Sequence, residues 1–213
     1  MADDRSHPRF ARLWAAVLRR GEPRAITRQR AALVEGLSGV VVEVGPGSGS
    51  MFAHYPPAVE RVLAVEPEPY LRGVAAEAGA GAAVPIEVAP GDAASIPLGA
   101  EEADAVVCSL VLCSVPDQAA ALREFARVLR PGGELRYFEH VAEPAGTWPR
   151  RLQQLVDRSG VWARFGGGCH VARETASAIR AAGFSVEAEQ SSTFGPRWLV
   201  PVSLHVRGVA RRR

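Results

Sequence analysis

Lysine and asparagine are absent from this chain of 213 residues, so all 25 of its basic residues are arginine. Without lysine there is no phosphate loop of the G-x-x-x-x-G-K-[ST] kind, which excludes nucleoside triphosphate chemistry of that design. Cysteine is scarce. Cys108, Cys113 and Cys169 make an odd count without metal-ligand spacing, so neither a disulfide framework nor a zinc centre is expected, and no metal. No apolar run reaches the ~18 residues that span a bilayer. The arginine-rich start carries Asp3 and Asp4 and lacks the apolar core of a secretion signal. The expectation is a cytoplasmic protein with no stable membrane anchor. A hydrophobic share of 47% against 23% charged residues excludes the disordered class and supplies a sizeable core.

Net charge is only +2, but arginines crowd both ends, from Arg5 to Arg30 at one and Arg211 to Arg213 at the other. Solvated helix faces and the coding bias of a GC-rich genome account for this pattern; docking to an anionic partner is the alternative. No basic stripe with interleaved aromatics borders the expected cleft, so nucleic acid is not an expected partner.

Apolar strand-like runs recur at 40–44, 61–65, 84–88, 104–109 and 134–141, with helix patterns near 68–78 and 117–129 between them. This alternation predicts an α/β fold: a doubly wound, Rossmann-like, mostly parallel seven-stranded sheet with an antiparallel terminal strand and helices on both faces. The helix after Asp117 has a natural N-cap, an apolar face of Ala121, Leu122, Phe125, Val128 and Leu129, and a stop at Pro131-Gly-Gly133. Further on, the pattern predicts a helix from Trp148 to about Arg164, a helix over 172–182, and strands near 185–190 and 199–206. One domain over 1–213 is expected: a helical lid over 1–37, a cofactor-binding core over 38–141, and substrate-side helices and terminal strands over 142–213.

Residues 40–49 read Val-Val-Val-Glu-Val-Gly-Pro-Gly-Ser-Gly. Gly45, Gly47 and Gly49 can adopt positive φ and let a ligand lie on bare main chain. Glu43 ends an apolar strand, where a carboxylate is costly unless a cation or hydrogen-bond donor joins it; a bound ammonium group would serve. Nicotinamide and flavin sites want G-x-G-x-x-G, whereas S-adenosylmethionine sites want an acid, one residue, then G-x-G-x-G. Ser50 favours the second. Glu66, before Pro67, ends the next strand, where a carboxylate can accept both ribose hydroxyls. Asp92 and the backbone of Ala93 follow the third strand and suit an adenine edge, although Asp92 also suits an Asx turn.

Glu43-Val-Gly-Pro-Gly-Ser-Gly49, Val65-Glu66-Pro67, Gly91-Asp92-Ala93 and Leu129-Arg-Pro-Gly-Gly133 together resemble the class I S-adenosylmethionine-dependent methyltransferases over about residues 38–140. Phe52-Ala-His-Tyr-Pro-Pro57, the run from Val107 to Val115, Glu139-His140-Val141 and Thr147-Trp148 are similar to the methyltransferase-like seven group, the alkyl thiol methyltransferases. That similarity continues through Gly168-Cys-His170 and Thr175. The membrane-anchoring apolar segment of that group has no counterpart at the front. The resemblance implies S-adenosyl-L-methionine as cofactor and S-adenosyl-L-homocysteine as product. It implies that Glu43, Gly45, Gly47 and Gly49 hold the methionyl part, Glu66 and Pro67 the ribose, and Asp92 with Ala93 the adenine. Cys108 and Leu110 would wall the sulfonium.

Methyl transfer from a sulfonium is an in-line displacement that neutralises charge, so positioning dominates and can supply about 7–11 kcal/mol. A thiol, with pKa about 8.5, needs little help to ionise, whereas a hydroxyl wants a base. No strong base dyad is evident, which favours a small-molecule thiol acceptor. O-methylation of a phenolic or natural-product hydroxyl, with His140 as base, is the alternative. A non-catalytic cofactor-binding module docking through the arginine-rich ends is a third reading. Candidate catalytic residues are His140, with Glu139 expected on the opposite face of its strand, and His170. Trp14, Cys113 and Trp148, with Trp162 and Phe165 nearby, would line the acceptor pocket, and Arg164 or Arg173 would grip an acidic group. The protein is expected to act as a monomer or homodimer.

Overall fold

The computed structural model describes residues 23–195 and 201–213. Trp14 and the expected lid helix carrying Phe10, Leu13, Val17 and Leu18 lie outside the described residues. The chain opens with α1 (Arg24–Val34), then β1 (Gly39–Val44), a short 3-10 turn (Phe52–His54), β2 (Val59–Val65), α2 (Pro69–Gly79), β3 (Ile86–Ala89) and β4 (Ala103–Ser109). It continues with α3 (Gln118–Val128), β5 (Leu129–His140), α4 (Trp148–Ser159), α5 (Val161–Phe165), α6 (Thr175–Ala181), β6 (Phe184–Thr193) and β7 (Leu204–Arg212).

The seven strands form one sheet in the order β3-β2-β1-β4-β5-β7-β6. Strands β1 to β5 pair in parallel, and β7 runs antiparallel between β5 and β6. The last strand of the chain is therefore the reversed one, and it sits inside the sheet. Period-two alternation divides the core into two layers. Val42, Val44, Leu63, Val65, Val106 and Tyr137 pack with Ala121, Leu122, Phe125 and Val128 of α3 and Ile179 of α6. Val41, Val62, Ala64, Ala105, Val107 and Phe138 face the other way, against Leu33 and Val34 of α1 and Phe52. Strands covered on both faces read as unbroken apolar runs, which is why β1 and β4 are so plain in the sequence.

The strand order reverses between β1 and β4, and a crevice at such a switch point is where open α/β sheets take ligands. In register, Val44 stands beside Val65 on one side and Cys108 on the other, and Ser109 beside Phe138. The carboxyl ends of four strands thus meet at one edge.

Two expectations change. The helix expected over 148–164 breaks at Gly160, whose φ of +66° ends α4 and starts α5. The final strand, expected at 199–206, runs over Leu204–Arg212. Pro201 cannot donate to a ladder, and the strand begins beyond it. Its arginines, which the sequence suggested as solvated helix faces, instead lie on a strand and pair with acids. Arg211 binds Glu134 and Glu187, each at 2.7 Å, and Arg212 binds Glu101 at 2.9 Å. Among the described residues, no helix is long and apolar enough to cross a membrane.

Candidate active site

The loop after β1 is left-handed at each of its glycines: φ is +65° at Gly45, +58° at Gly47 and +74° at Gly49. The reasons differ. A Cβ at Gly45 would lie 2.7 Å from Val111 Cγ2, and one at Gly49 would lie 2.6 Å from the Phe52 ring, whereas one at Gly47 would meet nothing within 4 Å. Gly45 and Gly49 are held bare by the protein's own packing; Gly47 faces open space.

Glu43 is buried and accepts a 2.7 Å hydrogen bond from the Tyr55 hydroxyl. Burial pushes its carboxyl up to about 7, against the lowering effects of Tyr55 and the Arg30 charge. A carboxyl so poised becomes a carboxylate readily when a cation arrives. Glu66, also buried, accepts from the backbone N–H of Gly47 and of Glu68, each at 3.1 Å. Burial raises its pKa, and those two bonds oppose the rise. Glu66 therefore ties the glycine loop to the end of β2. Pro67 is exposed, and its carbonyl accepts from Arg72 at 2.8 Å. Asp92 accepts from Ala94 N at 2.8 Å in an Asx turn. Ala93 turns its side chain into the core.

Beyond β4 the chain reverses at Leu110, a non-glycine residue at φ +61°. Such a conformation costs about 1–3 kcal/mol and persists only where surroundings impose it. Here they do: Leu110 N donates to Phe138 O at 2.8 Å. The following N–H groups of Val111, Leu112 and Cys113 all reach the fully buried Glu139 carboxylate, at 2.9, 3.0 and 3.1 Å. Burial raises Glu139, and the three backbone bonds hold it down. Cys108 lies within the core beside Glu139, its thiol pushed up by burial. Sequence reasoning assigned Glu139 no role. The signal was available, since it is an acid at the end of an apolar strand, as Glu43 is.

Folding brings Cys113, His140 and Cys169 together, with their ligating atoms all within 4.8 Å of one another. Cys169 Sγ lies 3.0 Å from His140 Nε2 and accepts from Trp162 Nε1 at 3.2 Å. Hydrogen bonding from Cys113, then the His140 partner, outweigh burial and hold the Cys169 thiol well below its usual range. Burial alone would lower His140, but Cys169 and Glu139 raise it. Cys113 is pushed up by burial. Spacing in the sequence gives no sign of this cluster.

Two candidates stand elsewhere. The His170 ring is 43% exposed and 3.9 Å from Asp157, and only its backbone N–H turns inward, to Cys113 O at 2.8 Å. Trp148 is 64% exposed at the start of α4 and Phe165 is 73% exposed, so the described residues do not fold them into an enclosed cavity. Arg173 reaches Leu112 O at 2.6 Å. Two clefts on the described surface, one beside Leu33 and Arg136 and one beside Val141 and Thr175, are not lined by the glycine loop.

A reversed strand between β5 and β6, an acid before a three-glycine loop, and a second acid closing β2 onto that loop define the class: an S-adenosylmethionine-dependent methyltransferase of class I. A family model described as a methyltransferase domain matches residues 42–137. The chain is 36% identical over 192 residues to the human (Homo sapiens) thiol S-methyltransferase TMT1B, covering 86% of this chain and 77% of that protein. It therefore belongs to the family of the thiol S-methyltransferases TMT1A and TMT1B, the methyltransferase-like seven group. Among solved structures, a putative methyltransferase from Bacillus halodurans superposes with a TM-score of 0.68 at 20% identity, covering 88% of this chain and 97% of that one. A geranyl diphosphate methyltransferase solved with geranyl diphosphate and sinefungin superposes with a TM-score of 0.70 at 14% identity, covering 89% of this chain and 79% of that one.

Proposed function

We propose that this enzyme transfers a methyl group from S-adenosyl-L-methionine to the sulfur of a small-molecule thiol. The observation that carries the reading is its 36% identity, over most of both chains, to a relative named a thiol S-methyltransferase. The open side of Gly47 and the buried Glu43, poised for a cation, suit the donor's amino acid end.

The bound donor supplies a methyl on a sulfonium, which a nucleophile displaces in line. Glu43 pairs with the donor's ammonium group, and Gly47 leaves the main chain bare for its methionyl part, while Gly45 and Gly49 let the loop pack closely enough on Val111 and Phe52 to hold that shape. Glu66 accepts the ribose hydroxyls while holding Gly47 N, so the loop and the sugar share one anchor. The Asp92 turn and the Ala93 backbone border the adenine. Leu110 and Cys108 close the sulfonium side, with Glu139 fixing the turn that carries Leu110. His140 and the cysteines beside it mark where the acceptor sulfur arrives. A thiolate and a sulfonium neutralise one another as they react, so a dry, apolar setting favours the transition state over the separated charges.

The test pairs calorimetry with turnover. S-adenosylhomocysteine binding by the wild type, lost in Glu66→Ala, together with methylation of members of a thiol panel, is expected. Methylation of hydroxyls or amines but of no thiol would overturn the acceptor assignment.

A further inference from the structure

The Cys113, His140 and Cys169 cluster joins three separate stretches of chain: the turn after β4, the end of β5 and the loop between α5 and α6. All three residues are buried, at 1%, 8% and 4% exposure. Two sulfurs and an imidazole are the donors that borderline-soft divalent cations prefer, and oxygen-seeking cations such as magnesium do not. Tetrahedral zinc, with bonds of about 2.3 Å to sulfur and 2.0–2.1 Å to nitrogen, sets its ligand atoms about 3.5–3.8 Å apart. The cluster, whose Sγ to Nε2 distance is 3.0 Å and whose atoms all lie within 4.8 Å, reaches that spacing with small side-chain shifts.

The frame around the cluster is built without help from any ion. Glu139 holds the Cys113 N–H, and the His170 N–H bonds to Cys113 O, lacing the two cysteine loops together. Gly168, at φ +87°, lets them approach so closely that a Cβ there would stand 3.0 Å from Ser114 O. Trp162 Nε1 donates to Cys169 Sγ, the outer-shell donation that steadies a ligating thiolate.

We infer that Cys113, His140 and Cys169 form a three-ligand site for a zinc-class divalent cation whose open fourth position takes the acceptor thiol as a thiolate. The inference rests on the thiol-transfer reading for its substrate, and on geometry alone for its ligands. Among the described residues only three such donors converge, the number that catalytic zinc sites use while keeping one position for substrate. Cys113 stands three residues past Leu110, and His140 follows Glu139 at the end of β5, so the cluster stands at the same edge of the sheet as the residues proposed to close the sulfonium side. The acceptor thiol loses its proton to solvent on binding the cation. Its sulfur then forms a bond to the methyl carbon as the carbon–sulfonium bond breaks, the electron pair returning to the donor sulfur. A neutral thioether, a poor ligand, departs, and the cation keeps its charge throughout.

The test is the metal content of protein purified under reducing conditions, followed by cobalt(II) replacement. One equivalent of zinc is expected, as is a thiolate-to-cobalt charge-transfer band that is lost in Cys113→Ser/Cys169→Ser and shifts when a small thiol is added. S-adenosylhomocysteine calorimetry on the same variant establishes that it is folded. Wild-type protein that takes up no stoichiometric zinc or cobalt would overturn the site, as would an unchanged band in the double variant. A cobalt band insensitive to thiols, or undiminished thiol turnover after metal stripping, would overturn the open-position role. The spectrum needs neither methyl donor nor turnover, so failure of the transferase reading would be seen separately.

Discussion

Glu43 and Glu139 are both acids buried at strand ends, and their surroundings give them opposite tasks. Glu139 is saturated by three backbone N–H groups from its own protein, so its work is structural. Glu139→Ala strands those donors in the interior, and a loss of about 3 kcal/mol or more in denaturant unfolding is expected, with Glu139→Gln milder because one oxygen remains to accept. Glu43 has one tyrosine donor and a pKa near 7 instead of 4.5. Folded protein therefore holds a proton that the unfolded chain has already released between those values, and the stability of the ligand-free protein falls as pH rises through that window. The shift corresponds to about 3 kcal/mol. A bound ammonium group reverses the preference by stabilising the carboxylate. S-adenosylhomocysteine affinity should climb with pH from about 5 to 7, approaching tenfold per unit, and level off above. In Glu43→Gln the calorimetric profile should be flat over that range; an unchanged slope would remove Glu43 from the donor site.

At the scale of elements, the glycine loop divides into packing glycines and one whose Cβ side is open. Gly49→Ala meets the Phe52 ring at 2.6 Å and Ala78 Cβ at 3.0 Å, besides its φ of +74°, and should destabilise the fold by about 2 kcal/mol or more. Gly47→Ala pays only for its positive φ, about 1 kcal/mol, yet places a methyl on the open side. Thermal unfolding and calorimetry should separate them, with binding falling more than tenfold in Gly47→Ala while the fold survives. Element legibility follows the same physics. Helix α3 was readable to within a residue because an Asp117 cap, an apolar face and a Pro-Gly-Gly stop agree locally. The break at Gly160 and the true span of β7 were not, since each depends on what lies beside it. One glycine does not by itself end a helical pattern, and a strand bearing Arg207, Arg211 and Arg212 is recognisable only once their side chains are seen to bind Gln190, Glu134 and Glu101.

For the molecule as a whole, the proposed donor site joins the ends of β1, β2 and β4, so ligand and fold would be thermodynamically linked. At S-adenosylhomocysteine concentrations a hundredfold above Kd, linkage adds about 2.7 kcal/mol, which for a domain of this size raises the unfolding midpoint by about 5–10 °C. A scanning fluorescence or calorimetric melt checks this, and no shift at saturating ligand would argue that the loop and Glu66 do not form the donor site. The sequence by itself determined the doubly wound sheet and the glycine loop with its two acids, because those signals lie in short contiguous phrases: an apolar run, a carboxylate, a turn. It also carried the family likeness. Only the tertiary structure decided which face of β5 each of Glu139 and His140 serves, why Leu110 is bent, and that Cys113, His140 and Cys169 meet. Those three lie far apart along the chain and touch because β4 pairs with β5 while the loop after α5 is hydrogen-bonded back onto Cys113. Local patterns encode elements; long-range pairing alone brings distant side chains to bonding distance.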